Sequence, residues 1–282
     1  METQIVNTLS IAIVCYHTSI EDLSALLESI LISLQPLSEL DTKSATTIYL
    51  IDNSEETNVG LEDFKQLKNQ FDIHRIELRL IHGQGNIGYG SAHNLALEKS
   101  SAQFHLLLNP DVVLDKDCLK IGVSYLLENS KVVIVSPSAV DENSAKQYLC
   151  KRYPSVLTFI IRGFFPGVLK KLFRKRLEKF EMHELSEDKP GIDIPIVSGC
   201  FMLCRTSALK DLNGFDEKYF LYFEDFDLSL RAARVGRIDY LPAMRIVHGG
   251  GNAAKKGISH LTMFAQSGIR FFNSHGWRFF TQ

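Results

Sequence analysis

The segment from Tyr222 to Asp227 combines three carboxylates with aromatic side chains. In a helix, Glu224 and Asp227 would share one face, and Asp225 would project elsewhere. Aromatic surroundings lower the local dielectric constant, which raises the pKa of a carboxyl group and makes its carboxylate a better base. The segment therefore predicts a general base. The alternative is an acidic helix start that the helix dipole favours, with the aromatic side chains in the core.

Two strand ends carry residue types that bind metal ions. Asn109-Pro110-Asp111 follows one predicted strand, and a carboxylate there is well placed to hold Mg²⁺ or Mn²⁺ bridging a diphosphate. Val247-His248 ends another predicted strand, and three glycines follow it, so the imidazole would reach a metal or a phosphate unhindered. The alternatives are an ordinary turn at residues 109–111 and a structural histidine at position 248.

The segment from Gly83 to Gly88 has the G-x-G-x-x-G spacing of dinucleotide sites. That fingerprint normally follows the first strand of a nucleotide-binding sheet, whereas here Tyr16-His17-Thr18 follows the first predicted strand. We therefore favour a loop whose glycines let the backbone approach a nucleotide base or sugar. A dinucleotide site and a plain turn are the alternatives.

Strand and helix patterns alternate through the first 115 residues. Apolar runs predict four strands, at residues 10–15, 47–51, 76–81 and 104–108, and helical spacing predicts helices at residues 20–34, 61–71 and 91–98. The alternation predicts a parallel sheet with helices on both faces. Ligands of such sheets bind beyond the carboxyl ends of the strands, where this chain has Asp52, Asn53 and the other polar segments above.

The second half is richer in charge. It contains predicted strands at residues 196–204 and 238–247 and a helix-rich acidic segment at residues 216–235. Between Lys151 and Lys179 there are nine basic residues and one acidic residue. Apolar side chains at helical spacing predict that Arg162 to Lys179 is a basic amphipathic helix on an anionic membrane surface. A solvated helix packed on the core is the alternative. The aromatic, basic tail from Ile258 to Gln282 would act with this helix.

Composition limits the function classes. The 282 residues are 45% hydrophobic and 23% charged, as in ordinary globular proteins. The 31 basic residues nearly balance the 33 acidic ones, so no overall field attracts nucleic acid. We expect neither a transmembrane span nor a signal peptide, since the apolar runs are too short. Five scattered cysteines predict reduced, mostly buried thiols in a cytosolic protein.

In this order and spacing, the segments resemble the family 2 glycosyltransferases, most closely the bacterial rhamnosyltransferase-like branch of O-antigen and polysaccharide assembly. The resemblance runs from about Ile11 to Gly250. The segments that carry it are Tyr16-His17, Ile51-Asp52-Asn53-Ser54, Gly85-Asn86-Ile87-Gly88-Tyr89-Gly90 with Asn94, Leu108-Asn109-Pro110-Asp111-Val112, Ser198-Gly199-Cys200-Phe201-Met202-Leu203, Gly214-Phe215-Asp216, the run from Tyr219 to Leu228, and Val247-His248. Lys151-Arg152-Tyr153-Pro154 is similar to a segment of enzymes that add rhamnose to lipid-linked sugars.

The resemblance implies a GT-A fold, in which a mostly parallel central sheet is flanked by helices. Residues 1–255 would form the transferase domain, with a nucleotide-sugar half to about residue 115 and an acceptor half from about residue 116. The basic segment 151–180 lies in the second half, and residues 256–282 would form a helical, membrane-facing tail.

The resemblance also implies roles for individual residues. Asp225 would be the general base, with Glu224 and Asp227 supporting the acceptor site. Asp111 would bind the metal of the family's Asp-x-Asp motif. Because Asn109 stands at the first aspartate of that motif, His248 becomes the second protein ligand. The residues expected to bind the nucleotide sugar are Tyr16, Asp52, Asn53, Asn86, Gly88, Asn109 and Asp111.

The implied reaction is inverting transfer of one sugar. The expected donor is dTDP-rhamnose, and the expected acceptor is a hydroxyl of an undecaprenyl-diphosphate-linked saccharide at the cytoplasmic face of the inner membrane. The Gln-x-x-Arg-Trp motif of processive members is absent, which favours one sugar per encounter. Galactofuranose, another deoxysugar, glucose and mannose are alternative donor sugars. A nucleotidyltransferase or NAD-type enzyme and a catalytically silent binding module are the alternative classes.

Overall fold

The computed structural model of the protein describes residues 6–38, 44–249 and 258–280. The strands are β1 (Val6–Cys15), β2 (Ser44–Asp52), β3 (Ile76–Ile81), β4 (Phe104–Leu108), β5 (Val112–Leu114), β6 (Val132–Val140), β7 (Lys146–Gln147), β8 (Cys150–Lys151), β9 (Ile196–Val197), β10 (Phe201–Arg205) and β11 (Arg237–His248). The helices are α1 (Ile20–Ser38), α2 (Lys68–Ile73), α3 (Tyr89–Lys99), α4 (Cys118–Glu128), α5 (Val156–Phe164), α6 (Gly167–Leu172), α7 (Arg174–Phe180), α8 (Thr206–Asp211), α9 (Glu224–Ala232) and α10 (Ile258–His275), with a 3-10 helix (Leu61–Leu67) before α2. Gly250 and Gly251, and the predicted boundary at residues 255–256, lie outside the described residues.

The main sheet has the strand order β3-β2-β1-β4-β10-β6-β11-β5, and β7 pairs with β6. β1 runs parallel to β2 and β4, and β2 runs parallel to β3, which confirms the parallel arrangement predicted for the first half. The second half is mixed, because β10 is antiparallel to β4 and β6, while β11 is parallel to β6 and antiparallel to β5.

The core lies on both faces of this sheet. Ile11 and Ile13 of β1 pack in one cluster with the apolar face of α1 and with α4. Ala12 and Val14, which point to the opposite face, pack in another cluster with Ala92 of α3. Because both faces are covered, the strand needs apolar residues at successive positions, which is why the run was recognisable in the sequence.

The cysteines are structural. All five are buried and free, as predicted, namely Cys15, Cys118, Cys150, Cys200 and Cys204. Burial raises the pKa of the Cys200 thiol to about 12, so this thiol stays protonated at neutral pH. A thiol that stays protonated is a poor nucleophile.

Two predicted strand and helix boundaries are corrected. The strand predicted at residues 196–204 is divided at Ser198-Gly199-Cys200 into β9, which pairs with β8 in a separate ladder, and β10, which joins the main sheet. The acidic segment predicted as helix-rich from residue 216 forms α9 only from Glu224 to Ala232. Both breaks occur where the backbone turns beside Asp225.

The single basic helix predicted from Arg162 to Lys179 is wrong, because α5, α6 and α7 are separate. Pro166 lacks an amide hydrogen and favours an extended conformation at the residue before it. Phe165 accordingly has φ −81° and ψ 135°, which ends α5. Phe173, with φ −106° and ψ 15°, separates α6 from α7. Within the described ranges, no helix combines the length and apolar character needed to cross a membrane.

Candidate active site

The predicted nucleotide-sugar residues gather at the carboxyl edge of the parallel strands. Tyr16 directly follows β1, Asp52 ends β2, Asn86 lies between β3 and α3, and Asn109 follows β4. Parallel strands place all of these ends at one edge of the sheet. The structure therefore brings together residues that are up to 93 positions apart in the sequence.

Asn53 holds the glycine-rich loop against the end of β2. Its side-chain amide donates to Asn86 Oδ1 at 3.0 Å, and its Oδ1 accepts from the amide of Ile87 at 3.2 Å. Gly88 has φ 91°, and a Cβ there would lie 2.5 Å from the carbonyl oxygen of Phe220. Only glycine fits this position, because both the backbone conformation and the close approach exclude a side chain. The buried side chain of Asn53 and the glycine at position 88 therefore determine the conformation of this loop.

Asp52 is 1% exposed, and its carboxylate is engaged with the loop that follows it. One oxygen accepts from the amide of Ser54 at 3.1 Å and the other from the amide of Asn58 at 2.7 Å. Burial raises the pKa of Asp52, but the backbone amides outweigh burial, and the pKa lies below its usual value. Asp52 therefore shapes the loop, and its direct contact with a nucleotide stays a prediction.

Tyr16 is half exposed at this edge, with 49% of its surface accessible. Its hydroxyl donates to Glu55 Oε1 at 3.1 Å, and the ring of His17 packs edge-on at 4.4 Å. Glu55 also lies 3.2 Å from His17 Nε2. An aromatic face held in this way is suited to stacking on a planar base.

Asp111 and His248 lie side by side, as their positions at strand ends predict. His248 ends β11, which pairs with β5 so that His248 stands opposite Val112, the residue after Asp111. The distance from His248 Nε2 to Asp111 Oδ1 is 3.5 Å. The amide of Gly249 donates to the carbonyl of Asp111 at 2.9 Å, which fixes the two segments to each other.

Gln147 sets the orientation of the His248 ring. The Gln147 side-chain amide donates to the His248 carbonyl at 2.9 Å, so its Oε1 faces the ring nitrogen Nδ1 at 2.7 Å. An amide oxygen only accepts, and Nδ1 therefore carries a proton; the other ring nitrogen, Nε2, faces the Asp111 carboxylate and has a lone pair for a cation in the neutral tautomer that metal ligation requires. A lone pair and a carboxylate oxygen that face each other suit a cation, and a second hydrogen bond that orients the ring is typical of metal-binding histidines.

These two side chains fit the divalent ion that the resemblance implies. Among the described residues, no group of three or more His, Cys, Asp or Glu side chains forms a metal cluster. The protein would therefore supply two ligands, and a diphosphate and water would supply the others, which is the usual pattern for Mg²⁺.

A chain of backbone contacts connects this pair to Asp225. The amide of Asn109 donates to the carbonyl of Cys200 at 2.9 Å. The next residue back, Gly199, donates its amide to Asp225 Oδ2 at 3.0 Å. The Cys200 thiol interacts electrostatically with both Asp111 and Asp225. The predicted metal ligand and the predicted base therefore belong to one site.

Asp225 is held in place by the backbone. Its second oxygen accepts from the amide of Phe226 at 2.9 Å, at the first turn of α9. Burial raises the pKa of Asp225 above its ordinary value, although the amides of Gly199 and Phe226 and the charge of Lys151 oppose that effect. These groups stabilise the ionised form, so the side chain is desolvated but retains donors for its charge.

Glu224 retains its proton more readily than the adjacent Asp225 does. Glu224 is 6% exposed, and among the described residues its Oε2 has no hydrogen-bond partner. Burial and the neighbouring charge of Asp225 raise the pKa of Glu224 to about 8. Because only Asp225 has backbone donors at both oxygens, we assign the charge to Asp225 and the proton to Glu224. Of this adjacent pair, Asp225 is the available base.

The backbone before this pair is strained. Tyr222 and Phe223 have φ 72° and φ 67°, a left-handed conformation that costs about 1–2 kcal/mol for each residue that is not glycine. The ring of Phe223 lies 4.9 Å from that of Phe159 on α5 and 5.4 Å from that of Phe271 on α10. This aromatic cluster offsets the strain and fixes the direction in which α9 begins.

Asp227 has a structural role in this arrangement. It is 4% exposed, and it accepts from Arg231 Nε at 2.7 Å and lies 2.8 Å from His275 Nε2. Arg231 also donates to the carbonyls of Leu212 and Gly214. Asp227 therefore connects α9 to α10 and to the preceding turn, and its predicted support of an acceptor site stays a prediction.

Three residues of the site were not identified from the sequence. Gln147 orients His248, Gly199 donates to Asp225, and the hydroxyl of Tyr89 donates to the carbonyl of Gly199 at 2.8 Å. Gly199 and Tyr89 lie in segments that carry the family resemblance, which was the signal available for them. Gln147 gave no signal, because its role depends on the pairing of β7 with β6.

Comparison with known sequences identifies the family. The family model for glycosyltransferase like family 2 matches residues 7–258. Rhamnosyltransferase WbbL of Escherichia coli K12 is 30% identical over 193 residues, which are 64% of this chain and 68% of that protein. N-acetylglucosaminyl-diphospho-decaprenol L-rhamnosyltransferase of Mycobacterium tuberculosis is 26% identical over 187 residues, which are 61% of this chain and 58% of that protein. The chain thus spans less than two thirds of the mycobacterial relative.

Solved structures show the same fold at low identity. The mannosyltransferase PcManGT of Pyrobaculum calidifontis, in complex with GDP-Man and Mn²⁺, matches with a TM-score of 0.60 and 17% identity, covering 95% of this chain and 64% of that one. TarS of S. aureus in complex with UDP matches with a TM-score of 0.51 and 16% identity, covering 85% of this chain and 59% of that one. Since the family model covers most of the sequence and the fold is that of GT-A enzymes, the chain belongs to glycosyltransferase family 2 and is a glycosyltransferase.

Proposed function

We propose that this glycosyltransferase transfers one L-rhamnosyl residue from dTDP-rhamnose to a hydroxyl of an undecaprenyl-diphosphate-linked saccharide, with inversion at the anomeric carbon. The observation that carries the catalytic part is the juxtaposition of Asp111 and His248 at 3.5 Å, joined through the 199–200 turn to the partly buried Asp225. The names of the E. coli and M. tuberculosis relatives support rhamnose as the sugar, and the diphospho-decaprenol in the name of the M. tuberculosis relative supports a polyprenyl-diphosphate-linked acceptor.

Different residues of the chain serve nucleotide binding, metal binding and proton transfer. Tyr16 and the loop held by Asn53 receive the nucleotide, and Asp111 and His248 would hold the divalent ion. When bound, that ion neutralises charge on the departing nucleoside diphosphate. Asp225 accepts the proton of the acceptor hydroxyl, whose oxygen attacks the anomeric carbon opposite the leaving group. No enzyme-bound sugar forms, and the configuration at that carbon inverts.

The location of the reaction follows from the proposed acceptor. A polyprenyl diphosphate is retained in a bilayer by its lipid chain, so its sugar is presented at the membrane surface. We therefore place the enzyme at the cytoplasmic face of the inner membrane as a peripheral protein, in surface-polysaccharide or O-antigen assembly.

The experiment that tests this function is a donor panel. The protein is incubated with a lipid-linked saccharide, Mn²⁺ or Mg²⁺, and dTDP-rhamnose, UDP-galactofuranose, UDP-glucose or GDP-mannose, and release of nucleoside diphosphate is measured. We expect acceptor-dependent release from dTDP-rhamnose that a chelator abolishes. Faster release from another donor would reassign the sugar, and release without the acceptor or the metal would contradict the proposed mechanism.

A further inference from the structure

The short helix α6 exposes a cluster of aliphatic side chains. Val168 is 77% exposed, Leu169 42% and Leu172 78%. Single exposed apolar residues are ordinary, but three within one helix of six residues form a continuous apolar surface. Among the described residues, nothing covers them.

The residues after α10 form a second group of exposed apolar side chains. Trp277 is 44% exposed, Phe279 54% and Phe280 73%, and the Trp277 and Phe279 rings stack with their centroids 5.6 Å apart. Although these residues are about 100 positions from α6, hydrogen bonds attach them to the same group of helices. The carbonyl of Phe279 accepts from the amide of Leu157 on α5 at 3.1 Å. The carbonyl of Phe280 accepts from Arg176 on α7 at 2.7 Å.

The surroundings of α6 are basic. Lys171, Arg174 and Lys175 are exposed, and there is no acidic residue from position 155 to position 177. Arg174 pairs with Glu178 at 3.2 Å on its own helix. An apolar surface bordered by cations matches an anionic lipid bilayer, where aliphatic side chains enter the interface and lysines contact phosphates. A symmetric contact between two copies would instead place these cations against one another.

We propose that α6 and residues 277–280 together form one interfacial surface that docks on an anionic phospholipid bilayer. Val168, Leu169 and Leu172 enter the interface, and Trp277 lies at the headgroup level, as tryptophan does in membrane proteins. This surface rests on the proposed function only in that a lipid-linked acceptor gives docking its purpose. It replaces the continuous helix from Arg162 to Lys179 with two separate segments of the chain.

The docking surface is connected to the base. α5, which anchors residues 278 and 279, carries Phe159, whose ring contacts that of Phe223 directly before Glu224 and Asp225. The same aromatic cluster contains Phe271 of α10. Docking therefore orients the part of the enzyme that receives the acceptor towards the membrane plane.

Vesicle sedimentation tests the proposal. The full chain is mixed with vesicles of phosphatidylglycerol and phosphatidylethanolamine, or of phosphatidylcholine alone. We expect binding to the anionic vesicles that weakens as salt increases. The double variant Val168→Ser with Leu172→Ser should lose at least about tenfold in partitioning, and Lys171→Glu with Lys175→Glu at least about fivefold for each charge removed. Ile73→Ser, a substitution at a 70% exposed position on α2, is the matched control and should bind as the unmodified chain does.

Three results would overturn the proposal. They are equal binding to phosphatidylcholine vesicles, equal losses in Ile73→Ser and the α6 variant, and a lipid-free dimer that the α6 variant abolishes. Because sedimentation needs no turnover, it separates this surface from the proposed function. In a transfer assay, the α6 variant should keep its turnover on a water-soluble short-chain acceptor and lose it on a vesicle-embedded acceptor.

Discussion

Replacement of Asp225 by asparagine isolates proton abstraction from the rest of the reaction. Loss of a general base typically lowers the rate by about 10²–10⁴-fold. At 1.36 kcal/mol for each tenfold change, the barrier should rise by about 2.7–5.4 kcal/mol. The donor should still bind within a few-fold of its original affinity, because its proposed ligands are Asp111, His248 and the loop held by Asn53.

The structure also bounds the effect of this substitution on stability. Asp225 accepts from two backbone amides, those of Gly199 at 3.0 Å and Phe226 at 2.9 Å. Asparagine has one side-chain oxygen, so one amide loses its acceptor, at a cost of about 1–3 kcal/mol. Removal of a partly buried carboxylate charge beside Glu224 offsets part of this cost. Since 1 kcal/mol shifts Tm by about 2–4 °C in a chain of this size, Asp225→Asn should remain folded at assay temperature.

The assay measures kcat and donor KM from nucleoside diphosphate release, with donor affinity from calorimetry. Glu224→Gln is the matched control, since Glu224 already holds a proton at neutral pH and the exchange preserves its neutral state. We expect kcat to collapse in Asp225→Asn and to change by less than about tenfold in Glu224→Gln. Near-normal turnover in Asp225→Asn, together with an inactive Glu224→Gln, would show that the base is the other carboxylate.

Three further predictions concern the metal ligands, the nucleotide loop and pH. Asp111→Ala should abolish Mn²⁺-dependent donor binding in calorimetry, and His248→Ala should weaken it; donor binding that is equal with and without Mn²⁺ in the unmodified chain would refute the shared ion. Asp52→Ala should weaken binding of free nucleoside diphosphate, since the amides of Ser54 and Asn58 lose their acceptors; unchanged affinity would separate this loop from the nucleotide pocket. The pKa of Glu224 is raised to about 8, so the folded protein retains a proton at Glu224 that the unfolded chain releases. The contribution of Glu224 to the free energy of unfolding is therefore complete below the ordinary pKa of glutamate and is lost as pH rises towards and through about 8. Denaturant unfolding at about pH 6 and about pH 9 should show this fall in the unmodified chain and a smaller one in Glu224→Gln, and equal falls would contradict the assignment.

The buried parallel strands are the part of this fold that could be predicted from the sequence. β3 and β4 have the predicted bounds, because a strand covered on both faces needs consecutive apolar residues. The proximity of Asp111 and His248 was also predictable, since each stands at a strand end on the same edge of the sheet. An apolar run and a polar residue at the end of a strand can both be recognised in a short stretch of sequence.

Features that depend on distant parts of the chain were not predictable. The left-handed conformation at Phe223 is maintained by rings from α5 and α10, and the role of Gln147 requires β7 to pair with β6, which brings its side chain to the end of β11. The prediction of one continuous helix from Arg162 to Lys179 was wrong for a different reason. Its apolar spacing continues across Pro166, so the pattern indicated one helix where the backbone forms three.

Mass analysis of the acceptor tests the central claim most directly. The protein is incubated with dTDP-rhamnose, Mn²⁺ and a polyprenyl-diphosphate-linked saccharide, and the lipid product is examined by mass spectrometry and by NMR of its new anomeric centre. We predict a mass increase of one deoxyhexose and no longer series, inverted configuration at the transferred sugar, and initial product formation at least about 100-fold slower with Asp225→Asn. An unchanged acceptor, a polymeric series of products or retained anomeric configuration would contradict the account.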